Sequence, residues 1–110
     1  MKKYAMLLMG AHYDPDRDRA CFPSSDTETH ILTVRTPEEA VAKAAELANA
    51  GFGAIEVCGA FGEELARRMY EAAGGRVPVG YVVCPPDQQE ANNRFWGSQA
   101  PGGAPNLTEF

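Results

Sequence analysis

Ala54-Ile55-Glu56-Val57-Cys58-Gly59-Ala60-Phe61-Gly62-Glu63-Glu64-Leu65-Ala66 decides the fold. A short run of strand character enters a glycine-framed turn, and the turn enters a helix. Side chains alternate along a strand, so Ile55 and Val57 share one face while Ala54, Glu56 and Cys58 share the other. Beyond the turn, Leu65, Ala66, Met69, Tyr70 and Ala73 recur at helical spacing, and Gly74-Gly75 supplies a left-handed stop. A strand that feeds a helix in this way is the repeating unit of a parallel α/β sheet.

The same logic extends in both directions. Residues 77–83 read as the next strand, in which Pro78 removes a ladder donor and so marks a strand start or a sheet edge. Upstream, Thr36-Pro37-Glu38-Glu39 is a capping box with proline at the first helical position. The Thr36 hydroxyl accepts from the Glu39 amide, and the Glu39 carboxylate is expected to reach back to the Thr36 amide. Ala40, Val41, Ala44, Ala45, Leu47 and Ala48 then follow a helical period to Gly51. Residues 29–35 are rich in β-branched side chains and predict a strand; residues 4–9 are continuously apolar, as in a central strand covered on both faces. Between them, residues 11–28 read as an irregular loop, with Asp14-Pro15 opening a short helical turn. The expected architecture is α/β: a small, open, mainly parallel four-stranded sheet in the order β-(loop)-β-α-β-α-β. If the first strand lies between the second and third, both full helices cover one face and only the loop faces the other. A second copy or the C-terminal stretch is then needed to help cover it, most simply in a two-fold homodimer.

With 110 residues the chain forms one α/β domain over residues 1–86, followed by a Pro/Gly-rich tail, residues 87–110, without regular structure. Phe95, Trp96 and Phe110 lie in that tail, which is expected to dock on its own domain or on a neighbouring subunit. The net charge of −5 and the absence of a dense basic patch argue against nucleic acid as a partner. The apolar run after Met1-Lys2-Lys3 is too short for a membrane span or a secretory leader. Cys21, Cys58 and Cys84 form an odd set whose spacing matches no disulfide or zinc framework, which favours a reducing, cytoplasmic setting with free thiols. Neither a metal nor a cofactor is expected.

Chemistry-bearing residues gather where the apolar runs end. Open α/β sheets bind ligands at the carboxyl ends of their strands. There stand Gly10 and His12, then Cys58 with Gly59, Ala60, Phe61 and Gly62, and finally Cys84. His12 is suited to proton transfer, or else to a structural hydrogen bond beside Asp14. A helix start after Cys58 favours thiolate and offers amides to an anion, while simple packing of a small apolar side chain is the competing reading. Cys84 facing Cys58 would supply an acid and a base next to a carbonyl; both thiols have the same packing alternative. Glu56 in mid-strand must be paired, hydrogen-bonded or facing a wet pocket, for instance through Arg67, Arg68 or Arg94. Asp14-Pro15-Asp16-Arg17-Asp18 lacks the glycine and the distal glutamate of a calcium loop, and the Gly59–Gly62 turn lacks the residues of a nucleotide loop.

The stretch from Gly53 to Gly62, together with Val77-Pro78-Val79-Gly80, Glu38-Glu39-Ala40-Val41 and the apolar start ending in Gly10, resembles a family of small bacterial α/β proteins of unknown function. The resemblance spans roughly residues 3–84 and implies one domain, with no activity attached. Thiols at strand ends are also similar to those of two-cysteine amino-acid racemases, whose motifs around each cysteine are absent. Two functional readings stand. One is a small-molecule site for an anion or carboxylate, built from Gly10, His12, Glu56, Cys58, the 59–62 turn and Cys84, with cofactor-independent acid-base chemistry as its enzymatic form. The other is a non-catalytic binding or assembly domain.

Overall fold

A computed structural model describes residues 1–97. In chain order its elements are β1 (Lys2–Met9), β2 (Ala20–Pro23), β3 (Thr27–Val34), α1 (Pro37–Asn49), β4 (Ala54–Val57), α2 (Gly62–Ala72), β5 (Val79–Tyr81), a 3-10 turn (Pro86–Gln88) and α3 (Gln89–Trp96). The strands lie in the order β2-β3-β1-β4-β5. β1 is parallel to β3 and β4, β4 is parallel to β5, and β2 is antiparallel to β3. The expected four-stranded sheet is therefore corrected to a mixed sheet of five strands.

The additional strand, Ala20-Cys21-Phe22-Pro23, is exposed at all four positions. It shows no buried alternation and carries a proline that only an edge strand tolerates, which is why this stretch reads as loop. Pro78 acts as expected: its carbonyl accepts from the Ile55 amide at 3.0 Å, and β5 starts one residue later at the sheet edge. The segment after residue 85 is also more regular than expected, since a 3-10 turn and α3 occupy residues 86–96. No residue of α3 is buried. The expected docking of the stretch through Phe110 lies outside the described residues.

Local chemistry sets the helix ends. At α1 the Thr36 hydroxyl accepts from the Glu39 amide at 3.1 Å. The reciprocal half of the box is shifted by one residue, because the Glu39 carboxylate takes the Arg35 amide at 2.9 Å and the Arg35 guanidinium at 3.0 Å. Those two donors from one residue hold the Glu39 carboxyl below its ordinary range, the backbone amide first and the side chain second. Thr36→Ala removes the cap and is expected to cost about 1 kcal/mol, read as a lower urea midpoint with an unchanged slope. Gly51, with φ of +88°, ends the helix in the left-handed conformation expected of it.

α1 and α2 pack on each other and on the same side of the sheet. Beneath them lie Ala5, Leu7, Met9, Val34, Ile55 and Val57, joined by Ala40, Ala44, Leu47, Leu65 and Met69 from the helices. β1 lies between β3 and β4, and among the described residues neither α1 nor α2 covers its other face. Register places Ala20, Ile31, Met6, Glu56 and Gly80 in one row across that face, with Phe22, Thr29, Tyr4 and Ala54 in the next. Met6, Leu8 and Ile31 are half-buried there, and Phe22 is 59% exposed. The segment after β1 covers only one end of the face, where Thr33 Oγ1 donates to the Asp18 carbonyl at 2.8 Å. Among the described residues, no helix is long and apolar enough to cross a membrane.

Candidate functional site

The strand ends that matter come from the middle of the sheet. Cys58 donates its amide to the Leu7 carbonyl at 3.1 Å, which locks the carboxyl end of β4 against that of β1. Gly10 closes β1 by donating to the Val34 carbonyl at 3.1 Å. A side chain on Gly10 would meet His12 Cε1 at 2.8 Å and Tyr13 Cε2 at 3.2 Å. The missing side chain is thus what lets the imidazole fold back over the strand end, where it stacks on Tyr13 with ring centroids 4.2 Å apart. Tyr13 in turn donates its amide to the Gly10 carbonyl at 3.2 Å.

The following segment is tied down by its own carboxylates. Asp14 Oδ1 accepts from the Asp16 amide at 3.0 Å, and Asp18 Oδ2 accepts from the Asp14 amide at 2.8 Å. Arg17, bonded to Asp18 at 2.8 Å, holds the Asp18 carboxyl down at about 2, with the Asp14 amide as the next cause. The acidic run thus spends ligand oxygens on its own turn, in keeping with its poor fit to a calcium loop.

At the end of β4, the Phe61 amide donates to the Cys58 carbonyl at 3.1 Å and closes the turn, and Gly62 enters α2 with φ of +77°. No side chain caps α2, and Glu63 and Glu64 occupy its first turn. Glu63 accepts from the Tyr81 hydroxyl at 3.0 Å, which joins the helix start to the end of β5 and raises the tyrosine's pKa.

The sequence profile of a family of unknown function (DUF6506) matches residues 2–97. The chain belongs to that family. No curated protein and no solved structure matches it. The DUF6506 match runs through α3, beyond the residues 3–84 that carry the resemblance in the sequence, so the short last helix is part of the family's unit.

Within this DUF6506 domain the expected site residues have different surroundings. His12 and Gly59 are exposed at the ends of β1 and β4, and Gly10 is buried beneath the imidazole. Cys58 and Ala60 pack partly against the core. Phe61 is 0% exposed and Gly62 is buried, so both shape the turn from below. Cys84 is a free, half-buried thiol between β5 and the 3-10 turn. Glu56 lies on the helix-free face, where it accepts from the Tyr4 hydroxyl at 2.5 Å. Its partner is thus Tyr4 and not one of the expected Arg67, Arg68 or Arg94. Gly80 lies opposite Glu56, and a Cβ there would touch Glu56 Cγ at 3.7 Å, an ordinary contact.

Burial first, then the hydrogen bond to Glu56 and its charge, push Tyr4 up to about 12 from 10.0. Because the folded value lies above the unfolded one, the stabilisation it brings is complete below pH 10 and is lost as pH rises towards 12. An absorbance titration should show one tyrosine ionising late. In Glu56→Gln that step should move down, yet stay above 10.0 because burial remains.

Two clefts flank the strand ends. One of about 340 Å³ is lined by Asp14, Asp16, Thr33, Arg35, Glu39 and Lys43 at the end of β3. The other, about 360 Å³, runs between α2 and β5 past Glu63, Arg67, Tyr70 and Tyr81. Neither is lined by His12, Cys58 or Cys84. Among the described residues, the side chains that bring metal-binding atoms together are Cys21, Glu28 and His30. Sequence spacing passed over this group because Cys21 belongs to the unrecognised β2. The signal available was Glu28-Thr29-His30, since alternate residues of a strand share a face.

Proposed function

We propose that this chain is a homodimeric domain that binds a small anion or carboxylate, two copies meeting through the helix-free faces of their sheets. The observation that carries the reading is the distribution of apolar surface. One face is sealed by α1 and α2; the other presents Met6 and Ile31 at its centre with Phe22 beside them, and among the described residues the segment after β1 covers it at the end of Leu8 and Thr33. A two-layer sheet with an apolar outer face is stable in water when something covers that face.

The ligand reading rests on strand order. Connections leave β1 towards β3 on one side and reach β4 on the other, which makes the carboxyl ends of β1 and β4 the switch point of the sheet. His12 on its glycine seat stands on one side of that point, and Cys58 with the exposed Gly59 on the other. A chain seated on the open face would wall the side of this crevice that the helices do not. A reducing cytoplasmic setting belongs to the same proposal and is supported by three free thiols.

Light scattering over a range of concentrations should give about twice the 11.9 kDa of one chain. Titrating 15N-labelled protein with pyruvate and with inorganic phosphate should move the amides of residues 10–12 and 58–60. A mass of one chain at every concentration removes the dimer, and shifts confined to other residues remove the ligand site.

A further inference from the structure

We infer that Cys21, Glu28 and His30 form a binding site for a borderline divalent ion, zinc foremost, at the β2–β3 edge of the sheet. Register alone brings them together. Cys21 lies directly opposite His30 in the antiparallel pair, and Glu28 stands two residues before His30 on the same face. His30 Nε2 is 3.6 Å from Cys21 Sγ and 2.7 Å from Glu28 Oε1. All three donor atoms lie within 4.8 Å of one another. Zinc bound tetrahedrally by sulfur and nitrogen holds them about 3.5 Å apart, so the thiol and imidazole already have the right separation. The His30–Glu28 contact is a hydrogen bond that the ion would replace, with the carboxylate retreating by about 0.5 Å.

The donors are held in place by features independent of any ion. The hairpin is fixed by Ser24, whose hydroxyl donates to the Thr27 carbonyl at 2.7 Å and whose amide donates to the same oxygen at 3.0 Å. The His30 ring packs edge-on against the buried Phe52, centroids 5.0 Å apart, which limits its rotation. Lys3, the lysine near Glu28, is engaged elsewhere: its Nζ donates to the Ala50 carbonyl at 3.2 Å and sits over the Phe52 ring. Cysteine is among the residues most often buried, yet Cys21 is exposed on an edge strand, where packing gives it no role. One thiolate, one imidazole and one carboxylate suit zinc better than magnesium or calcium, which take oxygen donors. Three protein donors at an exposed edge leave the fourth position to water.

The test uses the full chain and the metal alone. Competition against a chromophoric chelator should show one Zn²⁺ per chain, and Co²⁺ in its place should give thiolate-to-metal absorption in the near ultraviolet. Cys21→Ser, chosen because the residue is exposed and its loss leaves the core intact, should weaken zinc by more than about tenfold and abolish that absorption. Glu28→Gln should weaken zinc while leaving the fold, read by circular dichroism, unchanged. Zinc should also slow alkylation of Cys21 without slowing that of Cys84. Zinc affinity unchanged in Cys21→Ser, cobalt bound without the thiolate absorption, or no stoichiometric binding by the wild-type chain would each overturn the site.

Discussion

Phe61→Ala should remove about 3–5 kcal/mol of stability, the largest loss expected from a single side chain in this domain. Phe61 is wholly enclosed and, among the described residues, is the largest of the fully buried side chains. It sits where the turn after β4 becomes α2, so its ring belongs to the same core that joins the two helices to β1 and β4. Truncation leaves a cavity that a turn pinned by the Cys58–Phe61 hydrogen bond and by the left-handed Gly62 is poorly able to close. Domains of this size are stable by about 5–15 kcal/mol, so much of the margin goes with one ring. Urea denaturation followed by circular dichroism reads the change; Phe61→Leu, which keeps most of the volume, should lose well under half as much. A loss below about 1 kcal/mol for the alanine variant would mean that the ring is not packed as described.

The contrast between Phe61 and its neighbours shows what sequence reading reaches. The β4–turn–α2 unit, the capped start of α1, the glycine stops and the central position of the first apolar run all follow from short-range patterns, because burial on a helix stripe or strand face imposes a period. β2 escapes because an edge strand exposed on both sides imposes none, and its four residues carry only tertiary information. The shift of the Glu39 carboxylate from Thr36 to Arg35 escapes for a similar reason: the Arg35 side chain adds a charged donor at the same spot, and two donors from one residue outweigh one amide. For the candidate site, the strand ends of His12 and Cys58 were legible, whereas the depth of Phe61 in the turn was not. Glycine-framed turns look alike in sequence whether their middle residue points to solvent or to the core. Cys21, Glu28 and His30 mark the same boundary, since two of the three share a strand and the third arrives only through register.

Ile31→Lys should raise the dissociation constant of the dimer by more than about 100-fold, leaving a folded single chain at micromolar concentration. Ile31 sits between Met6 of β1 and Ala20 of β2 on the helix-free face. With strands about 4.8 Å apart and rising about 3.3 Å per residue, eight residues each in β1 and β3, four each in β2 and β4 and three in β5 give that face about 430 Å². A stable interface buries about 800 Å² on each partner, so the loops that border the face must share in the contact. A two-fold axis through such a face makes each substitution count twice, and a charge there loses water on association without gaining a partner. Met6→Lys separates loss of association from loss of fold. Residue 6 lies beside Glu56 across β1 and β4, so a lysine there gains a carboxylate neighbour within the single chain, whereas in the dimer the pair must be desolvated. Both variants should therefore keep the wild-type circular dichroism spectrum while sedimenting as single chains. If the wild type is a dimer and both variants remain as tightly associated, the copies meet elsewhere; the exposed Val82, Val83, Phe95 and Trp96 would be the next surface to alter.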